Sequence, residues 1–288
     1  MFRLSKKTEI PIATESFVAP HFELTASVQT DAGCVRTNNE DSGLYISPSD
    51  AGVLAEKGVL AIVADGMGGH ASGEVASQLA VSVISRVYYE AKGDPHTALK
   101  EAVTQANKEI FNAAAEKESL RGMGTTCVVL AIKNGQAFCA HVGDSRLYLL
   151  RDGEVYQLTE DHSAVMEMVR LGIINREEAQ HHPDKNVILR AVGTQAVLEV
   201  ETWQEPMNVQ ANDQFLLCSD GLSDLVTTDE IKDVLKVNDL HTASTALIAL
   251  AKERGGHDNV TVAIIKVSAE ENGENRNVRE TREVEAVK

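Results

Sequence analysis

The sequence predicts an α+β protein in which amphipathic helices cover an antiparallel β-sheet. Two pairs of apolar segments are joined by the turns Asn134-Gly135 and Asp152-Gly153, and such dipeptides are typical of two-residue β-hairpins. Connections this short exclude the crossover helix that parallel strands need. In addition, residues 72–89 and the stretch that follows Pro95 carry apolar residues at helical spacing along one side. Each helix must bury that side, and a sheet provides the surface.

The first half of the chain alternates short strands with turn-rich segments. Residues 1–20 show no period and are interpreted as a tail or an edge strand. Roughly alternating apolar residues predict a strand over 22–29, and a second strand follows at 43–46. The six apolar residues 59–64 predict a strand that is buried on both faces, because their hydrophobic run does not alternate. Helices are then expected over 72–89 and 99–110.

The second half begins with a block of strands and continues with helices. The strands are expected at 125–132, 137–142, 147–150, 214–219 and 260–267. The helices are expected at 164–171, 176–181, 227–237 and 243–250. Asn175 with Glu178, and Thr227 with Glu230, have the spacing of N-terminal capping boxes. Residues 160–191 form an insert between strands, and such an insert is a candidate lid or substrate platform.

The composition fits one domain with short tails. The chain has 288 residues, of which 43% are hydrophobic and only six are proline, so one domain of about 250 residues is within the ordinary range. We expect the domain at 21–268 and a charged, disordered tail at 269–288. The formal net charge of −16 argues against a nucleic-acid partner, since phosphate binding relies on clustered Lys and Arg.

The four cysteines predict free thiols in a reducing compartment. Cys34, Cys127, Cys139 and Cys218 form no C-x-x-C pair, and the last three lie within apolar runs. A zinc site or a disulfide framework is therefore not expected. Residues 1–20 lack the apolar stretch of a signal peptide, and no segment reaches the roughly 20 apolar residues of a membrane span. We expect a cytoplasmic monomer without a membrane partner.

The segment that follows the strand at 59–64 has two interpretations, a nucleotide-binding loop or a plain glycine-rich turn that needs no ligand. Residues 66–71 fit the loose G-x-G-x-x-G/A pattern between a strand and a helix, which is the position of a dinucleotide-binding loop. That interpretation would make the protein a nucleotide-dependent oxidoreductase. However, Asp65 would face a pyrophosphate with no cation to offset its charge, and the hairpins oppose a doubly wound fold. A metal site explains Asp65 better.

Six acidic residues lie where a strand meets a loop. They are Glu40, Asp41, Asp65, Asp144, Asp220 and Asp258. Single surface acids are normally solvated, but Asp65 and Asp220 repeat one theme, an apolar strand that ends in Asp-Gly. If these strand ends meet at one rim, the carboxylates repel one another unless divalent cations neutralise them. Oxygen ligands without Cys or His at metal spacing suit Mg²⁺ or Mn²⁺ rather than Zn²⁺.

A site with two such cations predicts phosphoryl chemistry. Two cations lower the pKa of a shared water and clamp the oxygens of a phosphoryl group during in-line attack. Arg36 lies shortly before Glu40 and Asp41 and offers a planar fork to two phosphate oxygens. Taken alone, Arg36 fits a surface arginine equally well.

Short motifs rich in glycine and charged residues are spread over residues 22–267. They are Thr30-Asp31-Ala32-Gly33 with Arg36 and Asn39-Glu40-Asp41, Val63-Ala64-Asp65-Gly66-Met67-Gly68-Gly69, Gly122-Met123-Gly124-Thr125-Thr126, Val142-Gly143-Asp144-Ser145-Arg146, Leu158-Thr159-Glu160-Asp161-His162-Ser163, Cys218-Ser219-Asp220-Gly221-Leu222-Ser223-Asp224 and Asp258-Asn259-Val260-Thr261. Each motif alone is weak evidence. The ordered set resembles the metal-dependent serine/threonine protein phosphatases of type 2C, the PPM family, in its bacterial branch.

The resemblance implies a four-layer α-β-β-α sandwich, two antiparallel sheets flanked by helices, with two Mn²⁺ or Mg²⁺ ions at one end. By position, Asp65 would bridge the two metals, Gly66 would contribute its backbone carbonyl, and Glu40 would act through water. The remaining ligands would be Asp41, Asp220 and Asp258, with Asp144 at a third, weaker ion. Arg36 would bind the substrate phosphate, and residues 160–191 match the variable flap beside the site.

The implied reaction is hydrolysis of phosphoserine or phosphothreonine by a metal-bridging hydroxide, without a phospho-enzyme. The catalytic residues would be Arg36, Asp65 and Asp220, and the substrates would be phosphoproteins made by a serine/threonine kinase. The alternative hypothesis is a catalytically silent module that binds phosphoproteins. The complete carboxylate set argues against that alternative, since a silent member has no need of every metal ligand.

One position departs from the family pattern and affects the mechanism. Met67 stands where animal members carry a histidine that is proposed as general acid, and methionine cannot donate that proton. His70 and His162 lie in nearby motifs and are candidate donors, although a lone histidine is more often structural. The alternative donor is metal-bound water.

Overall fold

Two antiparallel sheets lie face to face at the centre of the protein, and helices cover both outer faces. The computed structural model describes residues 22–68, 72–236 and 239–269. The N-terminal segment 1–20 lies outside the described residues, and so does the charged tail beyond residue 269. The arrangement confirms the four-layer α-β-β-α sandwich that the resemblance implied.

The strands of the two sheets come from all parts of the chain. The strands are β1 (Phe22–Asp31), β2 (Asp41–Ile46), β3 (Val59–Met67), β4 (Gly124–Thr125), β5 (Cys127–Lys133), β6 (Gln136–Val142), β7 (Arg146–Arg151), β8 (Glu154–Gln157), β9 (Glu201–Thr202), β10 (Met207–Asn208), β11 (Gln214–Cys218) and β12 (Val260–Ala269). One sheet has the order β1-β12-β11-β7-β8, and the other has the order β10-β6-β5-β3-β2, with β4 beside β3 and β9 beside β6. The described strand pairs are all antiparallel, which excludes the doubly wound dinucleotide fold.

The helices lie on the outer faces and in the insert. They are α1 (Ala51–Lys57), α2 (Ser72–Glu90), α3 (Pro95–Glu116), α4 (Ala164–Arg170), α5 (Arg176–Gln180), α6 (Asp220–Ser223), α7 (Thr228–Leu235) and α8 (Leu240–Glu253). Both predicted capping boxes are present, Asn175 with Glu178 at α5 and Thr227 with Glu230 at α7. The predicted end of α7 at residue 237 lies outside the described residues.

Three apolar layers hold the sandwich together. Strand β3 contributes to two of them, since successive side chains of a strand point to opposite faces. Val59 and Val63 pack between the two sheets, whereas Leu60 and Ile62 pack in the layer with α2 and α3. The third layer lies between the other sheet and helices α7 and α8. Burial on both faces therefore explains the continuous apolar run at 59–64.

The two predicted hairpins have the geometry that their turn residues indicate. Asn134 and Gly135 have φ values of 50° and 73°, and Asp152 and Gly153 have φ values of 52° and 81°. Positive φ at both central residues is the mark of a type I′ turn, whose twist matches that of the flanking strands. These turns fix the registers of β5 with β6 and of β7 with β8.

The hydrophobic patterns missed only short elements. Helix α1 has seven residues, and its N-cap Asp50 accepts hydrogen bonds from the backbone N–H groups of Gly52 and Val53. Seven residues are too few to establish a helical period, so the cap and Gly58, whose φ is 73°, were the available signals. Strands β9 and β10 and helix α6 are shorter still and have no periodic pattern.

The described residues test the predictions about membrane-spanning helices and about the cysteines. Among the helices in the described ranges, none is long and apolar enough to span a membrane. All four cysteines are free thiols, as expected. Cys127, Cys139 and Cys218 are buried, whereas Cys34 is exposed on the turn-rich segment after β1.

Candidate metal centre

The predicted carboxylates gather at one end of the sandwich. Asp41 begins β2 and lies directly opposite Asp65 in the pairing of β2 with β3. Asp220 follows β11 as the first residue of α6, and Asp258 lies just before β12, so these two come from the other sheet. Asp144 lies in the turn that leads from β6 in one sheet to β7 in the other. The two sheets thus bring together residues that are far apart in sequence.

Burial and mutual repulsion change the acidity of this cluster. The pKa of Asp65 is raised well above its ordinary value, chiefly by burial and then by the charges of Asp41, Asp220, Asp144 and Asp258. Burial also raises the pKa values of Asp41, Asp144 and Asp220, and the neighbouring carboxylates add to the effect. Carboxyl groups with raised pKa values bind protons more readily than free aspartates do, until a cation compensates their charge.

Three carboxyl oxygens in the cluster are buried without a hydrogen-bond donor. Within the described part of the chain, no donor reaches Asp41 Oδ1, Asp144 Oδ1 or Asp220 Oδ1. A buried oxygen without a donor is unfavourable, so such atoms call for a ligand. Unpaired carboxylate oxygens from several strands are the donor set that a hard divalent cation prefers. The residues present therefore fit Mn²⁺ or Mg²⁺.

Polar side chains that the sequence reasoning did not single out hold the cluster in place. Ser219 Oγ donates to Asp41 Oδ2 at 2.7 Å and accepts from the Thr261 backbone N–H at 3.0 Å. This bridge ties β2 of one sheet to β11 and β12 of the other. It also leaves Asp41 Oδ1 as the oxygen that is open to a cation. The presence of Ser219 and Thr261 in two of the motifs was the only sequence signal.

Asn259 fixes the loop that carries Glu40. Its Oδ1 accepts from the Glu40 backbone N–H at 2.8 Å, and its Nδ2 donates to the carbonyls of Asn38 at 2.9 Å and Ala32 at 3.1 Å. The side chain is buried, so these bonds are protected from water. Removal of Asn259 would release the segment that precedes Asp41.

Gly66 is glycine because its neighbours leave no room for a side chain. A Cβ atom at this position would lie 2.1 Å from the carbonyl oxygen of Gly73 and 2.5 Å from that of Glu40. The preceding carbonyl, that of Asp65, accepts from the Thr126 N–H and the Thr125 hydroxyl, both at 2.8 Å. Backbone from α2 and from the Glu40 loop thus encloses the turn after Asp65 and fixes its path.

Arg36 lies at the rim of the cluster. Its Nη2 donates to Asp258 Oδ2 at 2.8 Å, and its side chain is 53% exposed. Asp258 raises the pKa of Arg36 through this bond and its charge, and Glu40 and Asp65 add smaller contributions. The guanidinium is therefore charged, accessible to solvent and adjacent to the carboxylates, as phosphate binding requires.

The geometry excludes His162 as the general acid, and Met67 cannot serve as one. Met67 is half-buried beside β4 and has no proton to give. His162 is buried, and its two ring nitrogens are taken up by the Gly143 backbone N–H and by Glu201. His162 is therefore unsuited to protonate a leaving group. His70 lies outside the described residues.

The insert at 160–191 forms the border of the cluster. It contains α4 and α5, and Lys185 makes an ion pair of 2.6 Å with Asp224, which directly follows α6. The side chains of Leu171 and Ile173 are 62% and 66% exposed. A cationic side chain of the insert thus lies beside α6, and the insert also carries exposed apolar side chains.

Comparison with known proteins identifies the family. A family profile described as protein phosphatase 2C matches residues 38–252. The serine/threonine phosphatase stp of Listeria innocua is 40% identical over 247 residues, which cover 84% of this chain and 95% of that protein. The crystal structure of the Mycobacterium tuberculosis serine/threonine phosphatase PstP/Ppp has a TM-score of 0.76 at 38% identity and covers 85% of this chain and 99% of the other.

A related structure contains the metals. The catalytic domain of the serine/threonine protein phosphatase PstP in complex with two manganese ions has a TM-score of 0.73 at 37% identity, with 86% of this chain and all of that chain covered. Dependence on Mn²⁺ or Mg²⁺ agrees with the oxygen-only cluster described above. The chain therefore belongs to the protein phosphatase 2C family and is a metal-dependent serine/threonine protein phosphatase.

Proposed function

We propose that the carboxylate cluster holds two Mn²⁺ or Mg²⁺ ions, with Asp65 between them. The observation that carries this proposal is the set of buried carboxyl oxygens without donors, in a cluster whose members repel one another. The proposed ligands are Asp41, Asp65, the Gly66 carbonyl, Asp220 and Asp258, with Glu40 through water and Asp144 at a third, weaker ion. Two cations offset a charge that the protein alone leaves uncompensated.

The residues of the chain orient the phosphoryl group and the water that attacks it. When bound, the two cations acidify a water and neutralise charge on the phosphoryl oxygens. Asp65 and Asp220 come from different sheets, and the charge of Asp220 raises the pKa of Asp65, so the two carboxyl groups lie close together at the centre of the site. Arg36 presents two N–H groups to the phosphate oxygens at the rim. Water attacks phosphorus directly and the serine or threonine oxygen leaves, so no phospho-enzyme forms.

The leaving oxygen takes its proton from water. Among the described residues, Met67 has no proton and both ring nitrogens of His162 are engaged. Burial raises the pKa of Cys127 to about 12 and that of Cys218 to about 12, which removes these thiols both as acids and as nucleophiles near neutral pH. Proton transfer through solvent agrees with the exposed rim around Arg36.

We further infer that the substrates are proteins phosphorylated by a serine/threonine kinase in the cytoplasm, and that the chain acts as a monomer. A protein phosphatase acts on phosphorylated proteins. Phosphorylation by a serine/threonine kinase is the reaction that produces such substrates. The free cysteines support a reducing compartment. The net charge of −16 disfavours nucleic acid as a competing ligand.

Metal analysis together with a phosphothreonine-peptide assay tests the proposed centre. We expect wild-type protein to retain two tightly bound Mn²⁺ ions after gel filtration, and to lose activity in EDTA and regain it with Mn²⁺. Asp220→Ala removes a ligand, so we expect at most one retained ion and at least a hundredfold lower kcat, from several kcal/mol of lost transition-state stabilisation. Asp229→Ala, in an aspartate whose side chain is 94% exposed, is the matched control. Two retained ions and full turnover in Asp220→Ala would refute the dinuclear assignment.

The exposed insert provides a test of substrate selection. The backbone bridge between Ser163 and Ile188 and the bond from the Leu189 N–H to the His162 carbonyl anchor its ends, so an exchange is best limited to residues 165–186. We expect an exchange with a relative's insert to change kcat/KM among phosphopeptides by about tenfold, equivalent to about 1.4 kcal/mol. Hydrolysis of a small aryl phosphate should change less than about threefold, because it contacts only the centre. Equal effects on both substrates would contradict a role in substrate binding.

A further inference from the structure

A group of three polar side chains, of which the two histidines are buried, lies beside the centre and takes no part in the proposed reaction. It consists of Glu201 on β9, His162 at the start of the insert and His141 on β6, and we call it the histidine relay. His162 Nε2 lies 3.0 Å from Glu201 Oε2. The His141 and His162 rings stack with centroids 4.7 Å apart and an angle of 19° between their planes. His141 Nε2 bonds to the Glu160 carbonyl at 3.0 Å.

By residue type and distance the histidine relay resembles a transition-metal site, since its ligand atoms lie within 4.8 Å of one another. The hydrogen bonds oppose that interpretation. The Gly143 backbone N–H can only donate, so His162 Nδ1 at 3.1 Å must be the acceptor and carries no proton. A neutral histidine that binds metal through Nε2 carries its proton on Nδ1, which would then face the Gly143 N–H. His162 is instead fixed as the Nε2–H tautomer, which donates to Glu201.

His162 holds Gly143 from both sides. Besides the bond to Nδ1, the His162 backbone N–H donates to the Gly143 carbonyl at 2.9 Å. Gly143 has a φ of 103°, and a Cβ there would lie 2.6 Å from Thr126 Cβ, so the turn fits closely against the residue between β4 and β5. The next residue is Asp144, whose Oδ1 is buried without a donor in the described structure. The direction of the Asp144 side chain thus depends on a turn that His162 fixes.

The same segment holds the turn at its other end and continues into the insert. Arg146 makes a bidentate pair with Asp161, with Nη2 to Oδ2 at 2.7 Å and Nε to Oδ1 at 2.9 Å. The His162 carbonyl accepts from the Leu189 N–H at 2.7 Å, on the returning arm of the insert. His162 therefore lies between the turn that carries Asp144 and the two anchored ends of the insert.

We infer that His162 is a positioning residue for the third cation site: its Nδ1 acceptor, held in one tautomer by Glu201, orients the Gly143-Asp144 turn so that Asp144 can bind a cation. This inference rests on the assignment of Asp144 in the proposed function. The relay acts through hydrogen bonds alone and binds no metal. Because outer-shell partners commonly set metal affinity by about 10- to 100-fold, loss of the acceptor should weaken this site by that factor.

Two amide variants separate the acceptor from the rest of the ring. His162→Asn places an amide oxygen where Nδ1 stands and keeps the acceptor for Gly143, whereas His162→Gln places its amide near Nε2 and leaves the Gly143 N–H without a partner. Mn²⁺ titration by calorimetry or electron paramagnetic resonance then reports the weak site separately from the tight pair. We expect His162→Gln to weaken the weak site about 10- to 100-fold and His162→Asn to stay within about threefold of wild type.

Measurements on the wild-type protein and on Glu201 variants test the inference even if the His162→Gln variant folds poorly. Amide hydrogen exchange at Gly143 should accelerate in His162→Gln only, and ¹⁵N spectra of the wild-type protein should show His162 as the neutral Nε2–H tautomer. The Glu201 side chain is 49% exposed, so it can be substituted with little disturbance of the core. Glu201→Leu removes the acceptor of the His162 Nε2–H proton and should weaken the third cation site. Glu201→Gln keeps an acceptor and should leave that site unchanged. Equal weak-site affinities in the Asn and Gln variants, or a spectrum of the Nδ1–H tautomer, would overturn the inference.

Asp144→Asn distinguishes failure of the inference from failure of the assignment on which it rests. If Asp144→Asn leaves the weak phase of the Mn²⁺ titration unchanged, Asp144 is not a ligand and the proposed third site is wrong. If Asp144→Asn removes the weak phase and His162→Gln does not change it, only the positioning role is wrong. The tight pair of ions should be retained in all of these variants.

Discussion

Replacement of Asp65 by asparagine is expected to lower kcat by about a thousandfold or more, which is the largest effect of any single substitution in the centre. Asp65 lies opposite Asp41 in the β2–β3 pair and carries a pKa raised chiefly by burial and then by four neighbouring carboxylates. An amide has nearly the same shape but no charge, so it cannot compensate two cations. A thousandfold loss corresponds to about 4 kcal/mol of transition-state stabilisation, within the range that metal-ion catalysis supplies.

The same substitution should have the opposite effect on stability without metal. Removing one carboxylate from a buried, mutually repelling cluster relieves repulsion, so metal-free Asp65→Asn should melt at a higher temperature than metal-free wild type near pH 8. With Mn²⁺ present the order should reverse, because only the wild type gains the full binding free energy. Asp152→Asn, in the exposed β7–β8 turn, is the matched control and should change neither property. Wild-type turnover in Asp65→Asn would show that Asp65 is not a ligand of the proposed metal centre.

The stability of the metal-free protein is expected to fall as pH rises from about 4 to about 8. Burial and neighbouring charges raise the pKa of Asp220 to about 6, that of Asp41 to about 7 and that of Asp144 to about 8. A group whose folded-state pKa lies above its unfolded value stabilises the fold below the unfolded pKa, near 4 for aspartate. That contribution is lost as pH rises through the folded-state pKa. Since one pKa unit corresponds to 1.36 kcal/mol, the shift of Asp220 alone predicts a loss of about 3 kcal/mol.

Urea unfolding in EDTA and in Mn²⁺, at several pH values, measures this effect. In EDTA the free energy of unfolding should decline across the window. In Mn²⁺ it should be flat or rise, because cation binding displaces protons and becomes stronger as the carboxyls ionise. Asp65→Asn should flatten the slope in EDTA. A metal-free protein whose stability increases from pH 4 to pH 8 would show that the cluster ionises freely and is not buried as described.

The gathering of the carboxylates could be predicted because these residues lie at strand ends. The apolar run before Asp65 and the one before Asp220 both indicate buried strands, and each places a carboxylate where its strand opens to water. Hairpin turns were equally predictable, since Asn-Gly and Asp-Gly tolerate the positive φ that a type I′ turn requires, and Asn134-Gly135 and Asp152-Gly153 adopt it. Local chemistry carried these signals, so no tertiary information was needed.

The supporting bonds could not be predicted because they depend on tertiary position. Ser219 meets Asp41 across 178 positions of sequence, and Asn259 meets Glu40 across 219. Serine and asparagine are common in loops, so residue type alone did not single them out. His162 shows the same limit: its motif left both a proton donor and a structural histidine open, and only the tertiary structure shows that Gly143 and Glu201 engage its two ring nitrogens.

The proposed ligands come from two different sheets, and this origin has a consequence for how the protein folds. Asp41 and Asp65 belong to one sheet, while Asp220 and Asp258 flank strands of the other. On the proposed assignment neither sheet alone completes a cation site, so we expect tight binding only after the sheets dock. Bound cations would then act as a non-covalent cross-link across the central layer, and a higher free metal concentration would make separation of the sheets rarer. We therefore expect manganese supply to raise resistance to proteolysis as well as turnover.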